Sequence, residues 1–247
     1  MPRLQRVNSI MSPIGEQILA CLQEVSAQRA HRAQDPLLAN SVRAIKAYQH
    51  GRFMQTYTDM LAHPRYGGAA QFFLDDLYGP GDFTSRDDQF ARVVPGLVRI
   101  FPNEIVVTVH SLGQLHALSE RLDTEMGRVL GPSAVDGVVG GHHYAQCWRQ
   151  VSSPAERERQ IVLMLSVGEA LERYTRNALL RHTLRLMRGP AQAAGLGALQ
   201  TFLERGFDTF RAMRGAREFL DVIAGRERAL AAALFGGNDA PELPLSR

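Results

Sequence analysis

The chain of 247 residues contains little cysteine and almost no lysine. Its two cysteines, Cys21 and Cys147, are too few for a disulfide framework in a chain of this length, and both have apolar neighbours. We therefore interpret them as small core residues. Lys46 is the single lysine among 28 basic residues. The arginines are interspersed with acidic residues and do not form a basic face, so a nucleic-acid partner is not expected.

Long apolar runs are also lacking. Residues 1–11 do not contain the apolar segment of a signal peptide and are interpreted as a flexible N-terminus. No window reaches the roughly 18 apolar residues that span a bilayer, so no membrane partner is expected. From these two observations we expect a cytoplasmic protein.

Alternating strand patterns are missing as well, and helical periodicity dominates. Ser12-Pro13, Asp35-Pro36 and Ser153-Pro154 have the cap-then-proline pattern typical of helix starts. A long apolar-periodic helix is predicted from Asn103 to about Leu130. The sequence therefore predicts an all-α fold, a single multi-helix bundle of about eight to ten helices. It would occupy residues 12–235, with the glycine-rich loop 131–143 as an internal boundary and residues 236–247 as a disordered tail.

The stretch FFLDDLYGPGDFTSRDDQF (residues 72–90) combines aromatic, acidic and turn-forming residues. Apolar residues cover one face of its first helix, Gly79 and Pro80 end that helix, and Ser85 is predicted to cap the next. An alternative hypothesis is that its five aspartates bind a cation, but their spacing does not match a calcium loop. We therefore interpret this stretch as a corner between two helices, here called the aromatic corner.

The segments FFLDDLYGPGDF, RDDQFARVVPGLVRIFP and LHALSERLD resemble a family of uncharacterised helical proteins from proteobacteria. The resemblance extends from about Tyr57 to Phe235. It implies a single helical unit and carries no established activity.

The candidate site lies in the motif SLGQLHALSERLD. His116, Ser119 and Asp123 occupy positions i, i+3 and i+7 of one helix. Ser119 falls near the middle of its apolar stripe, and His116 and Asp123 lie along one edge. One interpretation is a hydrogen-bonded network between helices, because buried polar groups need partners. The other makes His116 a ligand of haem or of a metal such as iron, with Ser119 and Asp123 beside it, or a proton acceptor oriented by a carboxylate. Three residues side by side on one helix do not form a hydrolytic triad.

No phosphate-binding loop, zinc spacing, nucleophile elbow or Glu-x-x-His motif occurs in the chain. We therefore predict a binding or regulatory module rather than an enzyme of a recognisable class. Two alternatives stay open: a haem- or metal-binding protein centred on His116, globin-like or haem-oxygenase-like, and a sensor of an apolar small molecule bound near the aromatic corner. Small residues between Ala191 and Ala198 also suit a tight helix contact, which leaves a homodimer open.

Overall fold

A computed structural model of the chain describes residues 12–77, 79, 81, 83–131 and 138–243. These residues form twelve α-helices and one π-helical turn, and nine of the α-helices have at least nine residues. The predicted all-α fold is confirmed. The helices are α1 (Pro13–Ala33), α2 (Pro36–Thr56), α3 (Thr58–Ala62), α4 (Gly67–Phe72), α5 (Thr84–Ile100), α6 (Asn103–Leu130), α7 (Gly141–Val151), α8 (Pro154–Thr175), α9 (Ala178–Leu186), α10 (Arg188–Ala193), α11 (Gly197–Ala212) and α12 (Arg217–Phe235).

Some of the predicted segments lie outside the described residues. These are the flexible N-terminus 1–11, positions 132–137 of the predicted boundary loop, the last four residues, and Tyr78, Pro80 and Asp82 of the aromatic corner. None of the helices in the described part of the chain is both long and apolar enough to cross a membrane.

The three predicted helix starts are confirmed. The side chain of Ser12 accepts a hydrogen bond from the amide of Gly15, and the carboxylate of Asp35 accepts from two amides in the first turn of α2. Ser153 and Glu156 form a reciprocal capping box at the start of α8. Each cap satisfies amide groups that have no partner inside the helix, so these local signals fix where the helices begin.

The described residues of the aromatic corner form the end of one helical segment and the start of the next, and their details differ from the prediction. α4 continues as a π-helical turn, Phe73–Leu77, and buries Phe72, Phe73 and Leu74. α5 begins at Thr84 without a side-chain cap, so the predicted capping role of Ser85 is wrong. Asp87, in the first turn of α5, is buried because it faces α6.

α6 lies at the centre of the bundle and packs against α1, α2, α7 and α8. α8 in turn packs against α11 and α12. The contact between α6 and α2 is close at Gly127, where a Cβ would lie 2.5 Å from Cγ2 of Val42. Glycine at this position lets the two backbones approach, which brings polar side chains of α2 next to those of α6.

Residues 236–243 belong to the segment predicted to be a disordered tail, and they make defined contacts with α2 and α7. The hydroxyl of Tyr48 donates to the carbonyl of Pro241 at 2.5 Å. The amide of Gly141 donates to the carboxylate of Glu242 at 2.9 Å, and Ala240 is buried. These contacts lie beside the helices that form the polar end of the cavity described below.

Candidate ligand-binding cavity

A cavity of about 410 Å³ runs beside α6. The stretch of α6 that lines it reaches from Ile105 to Asp123, a length of about 27 Å at the helical rise of ~1.5 Å per residue. Small-molecule sites commonly have volumes of roughly 300–1,000 Å³. The α6 residues that line the cavity are Ile105, Val109, Leu112, Gly113, Leu115, His116, Ser119, Glu120 and Asp123.

One end of the cavity is apolar and reaches the surface. There α6 faces side chains of α5, α8, α9 and α11. Phe101, Met187 and Leu203 line the cavity and are also 44%, 50% and 43% exposed. The opening is thus rimmed by apolar groups. The other apolar residues of this end are Phe90, Val93, Leu97, Leu171, Tyr174, Leu180, Leu184, Leu199, Phe202 and Phe207.

The other end, here called the polar end, lies deeper and is formed by α2, α6, α7, α8 and α12. It contains charged, amide and aromatic side chains with hydrogen-bonding groups. Its members from outside α6 are Lys46, Gln49, Arg52, Tyr144, Trp148, Arg157, Gln160 and Glu227.

His116 lines the cavity between these two ends. Its Nε2 atom lies 2.8 Å from Oδ2 of Asp87, and Arg29 and Arg86 lie 2.8 Å and 3.4 Å from the same carboxylate. Burial acts to raise the pKa of Asp87, but the hydrogen bond to His116 and the neighbouring positive charges lower it overall. The carboxylate therefore stays ionised and orients the imidazole ring.

Ser119 and Asp123 line the same cavity, but each has its own partner on another helix. Nε2 of Gln160 donates to the hydroxyl of Ser119 at 2.7 Å, and Nε2 of Gln49 donates to Oδ1 of Asp123 at 2.9 Å. Burial raises the pKa of Asp123. The structure thus places all three candidate residues on one wall of the cavity and links each of them to a different helix.

Between Ser119 and Asp123, Glu120 joins three helices. Its carboxylate contacts Nζ of Lys46 at 2.6 Å and Nη2 of Arg32 at 2.5 Å. Burial acts to raise the pKa of Glu120, but the two cations lower it to about 2. This charge cluster closes the polar end on the side of α1 and α2.

Arg52 and Arg157 are the buried arginines of the polar end, 7% and 3% exposed. Nη1 of Arg52 donates to Oε1 of Glu227 at 2.5 Å, and the hydroxyl of Tyr57 donates to the same oxygen at 2.7 Å. The guanidinium of Arg157 lies over the ring of Trp148, 3.5 Å from its centroid. Sequence reasoning missed both arginines, because a buried arginine cannot be distinguished by its residue type from the many exposed ones.

Four further histidines, His110, His142, His143 and His182, are not among the residues that line the cavity. His142 is exposed and lies 3.0 Å from Asp239, and His143 and His182 are exposed. His110 is partly buried, and burial lowers its pKa. Within the described residues no three histidine, cysteine, aspartate or glutamate side chains are grouped closely enough to hold a metal ion.

Comparison with protein families places the chain in one of them. A family model described as "Domain of unknown function (DUF8198)" matches residues 28–241. No curated protein and no solved structure matches the chain significantly. The matched range contains every cavity-lining residue except Leu22. It confirms the predicted membership of an uncharacterised family and extends further toward the N-terminus than the resemblance that begins near Tyr57.

Proposed function

The chain belongs to the DUF8198 family, whose description assigns no activity, and we propose that it binds an elongated, largely apolar small molecule in the cavity beside α6. The single observation that carries this proposal is the cavity itself. It has a volume of about 410 Å³, a mostly apolar lining and an opening at the surface. Burial of apolar ligand surface at such a lining is favourable by about 25 cal/mol per Å².

The shape of the cavity favours a chain-like ligand over a compact one. The cavity follows α6 for about 27 Å and is therefore elongated along this helix. An alkyl chain or a similarly slender molecule fits such a space. The exposed apolar rim at Phe101, Met187 and Leu203 supplies a surface on which an apolar molecule can first bind before it enters.

This proposal develops the apolar-sensor alternative of the sequence analysis. The haem or iron alternative requires a nitrogen of His116 to be directed at a bound metal. Nε2 of His116 lies within hydrogen-bonding distance of Asp87, which is held by two arginines, so a metal would have to bind Nδ1. Most of the cavity lining is apolar. We therefore favour an organic ligand that needs no metal coordination by this residue.

The test is titration with N-phenyl-1-naphthylamine, a neutral probe whose fluorescence rises in apolar surroundings. The unmodified protein should bind this probe. Val109→Trp should abolish binding, because Val109 lines the cavity and the larger ring fills it. Val107→Trp is the matched control, since Val107 lies on the same helix and is 45% exposed.

Circular dichroism of both variants shows whether the helical fold is retained. Loss of probe binding in folded Val109→Trp, with binding retained in Val107→Trp, supports the proposal. An unmodified protein that binds no probe, or a folded Val109→Trp variant that binds as tightly as the unmodified protein, contradicts it.

A further inference from the structure

We infer that the ligand is a single-chain amphiphile whose carboxylate head group binds Arg157 at the polar end of the cavity. This inference rests on the proposed binding function and adds the chemical class of the ligand. In the resulting arrangement the alkyl chain extends along α6 toward the apolar opening, and the head group lies between α7 and α8.

The first observation concerns the hydrogen bonds of Arg157. Nε donates to the hydroxyl of Ser152 at 3.0 Å, Nη1 donates to Oε1 of Gln160 at 3.1 Å, and Nη2 approaches the sulfur of Met126 at 3.4 Å. A guanidinium has five N–H groups, two on each terminal nitrogen. One N–H on Nη1 and one on Nη2 therefore have no partner among the described residues, and each can donate to an oxygen of a carboxylate.

The second observation concerns charge balance. Among the described residues, three other cationic side chains line the cavity, and each has a carboxylate partner: Lys46 with Glu120, Arg52 with Glu227, and Arg86 with Asp87. Arg157 is 3% exposed and forms no ion pair with any described residue. A buried charge without a counter-charge is strongly unfavourable, so an anionic ligand would complete this site.

Asp123 and Glu156 both interact with Arg157 electrostatically, but neither forms an ion pair with it. Glu156 pairs with Arg121 at 2.7 Å, and the carboxylate of Asp123 contacts Gln49 at 2.9 Å and Lys46 at 3.9 Å. Burial also raises the pKa of Asp123, which weakens it as a counter-charge. The position beside Arg157 thus stays open to an anion from a ligand.

The third observation is a set of buried donors at the same end. Nε1 of Trp148 and Nε of Arg52 are buried and have no hydrogen-bond partner in the described part of the chain. Buried N–H groups are nearly always paired in folded proteins. Both residues line the cavity, and Trp148 stacks on Arg157. A head group with two acceptor oxygens can bind Arg157 and accept from a neighbouring N–H at the same time.

In the experiment, dodecanoate and dodecanol compete with N-phenyl-1-naphthylamine for binding, at a pH where the carboxylate is ionised. Dodecanol has the same chain length as dodecanoate and no charge. The unmodified protein should bind dodecanoate more tightly. Arg157→Met keeps much of the side-chain length and removes the charge. It should lower the affinity for dodecanoate by about ten- to a hundredfold while leaving dodecanol nearly unchanged.

Arg159→Met is the matched control, because Arg159 lies on the same helix and is exposed. It should keep the preference for dodecanoate. If Arg157→Met does not fold, Trp148→Phe decides the matter, since it removes only the indole N–H and retains an aromatic ring. A reduced preference for dodecanoate in this variant supports the inference, and an unchanged preference overturns it.

Two other results overturn the inference and leave the proposed function standing. One is equal affinity of the unmodified protein for dodecanoate and dodecanol, and the other is an Arg157→Met variant with an undiminished preference for dodecanoate. If the probe binds but neither competitor displaces it, the single-chain amphiphile is the wrong class. If the probe itself does not bind to the unmodified protein, the proposed function fails first.

Discussion

Replacement of Glu227 by alanine should destabilise the fold strongly, because it leaves the charge of Arg52 buried and unpaired. Arg52 is 7% exposed and donates to Oε1 of Glu227 at 2.5 Å. Burial acts to lower the pKa of Arg52, but Glu227 raises it overall, and a guanidinium stays protonated in either case. Breaking a buried pair by removing one partner costs about 3–5 kcal/mol. That is a large fraction of the roughly 5–15 kcal/mol by which folded domains are stable.

The assay is urea unfolding followed by circular dichroism, with Glu158→Ala as the control. Glu158 pairs with Arg228 and so also joins α12 to a neighbouring helix, but the two side chains are 45% and 48% exposed. Exposed ion pairs contribute little, so Glu158→Ala should unfold close to the unmodified protein. Equal losses in the two variants would refute the argument that burial decides the difference. The double variant Arg52→Met, Glu227→Leu should recover most of the stability, because it removes both charges together.

Three further predictions concern α6 and its neighbours. The pKa of Glu120 is lowered to about 2, so its ionised form stabilises the fold fully above the ordinary glutamate pKa of 4.5, and this stabilisation is lost as the pH falls toward 2. Urea unfolding at a series of pH values should show that Glu120→Gln reduces the change of the unfolding free energy across this window by roughly 3 kcal/mol. Because the pKa of Asp123 is raised, its ionisation destabilises the fold as the pH rises above the ordinary aspartate pKa. Asp123→Asn should therefore be more stable than the unmodified protein at neutral pH and equally stable in acid, and a loss of stability at neutral pH would contradict this. Thermal unfolding should show that Gly127→Ala is less stable by about 1–3 kcal/mol, because the added Cβ clashes with Val42. The control Gly225→Ala has open space around the added Cβ and should be more stable by about 0.5–1 kcal/mol. A stabilised Gly127→Ala variant would show that the α2–α6 contact is looser than the structure indicates.

The sequence was sufficient to predict where several helices begin and end. Ser12, Asp35 and Ser153 cap helices at the predicted positions, and α6 spans Asn103–Leu130 as its apolar periodicity indicated. These signals are local, since a cap and the amides that it satisfies lie within three residues of each other. The boundary between α2 and α3 at Tyr57 has no comparable local signal, because the apolar pattern of α2 continues into α3.

For the candidate site, the sequence determined that His116, Ser119 and Asp123 lie on one wall, because residues at i, i+3 and i+7 share a helix face. Only the tertiary structure decided what faces that wall. Asp87 contacts His116 of α6, which lies 29 residues away in the sequence, and Arg157 contacts Met126 of α6, which lies 31 residues away. No short-range pattern records such contacts. The packing of separate helices decides whether a polar side chain is buried and paired or lines a cavity with unused hydrogen-bond donors. This packing places the buried arginines and the unpaired N–H groups at the polar end.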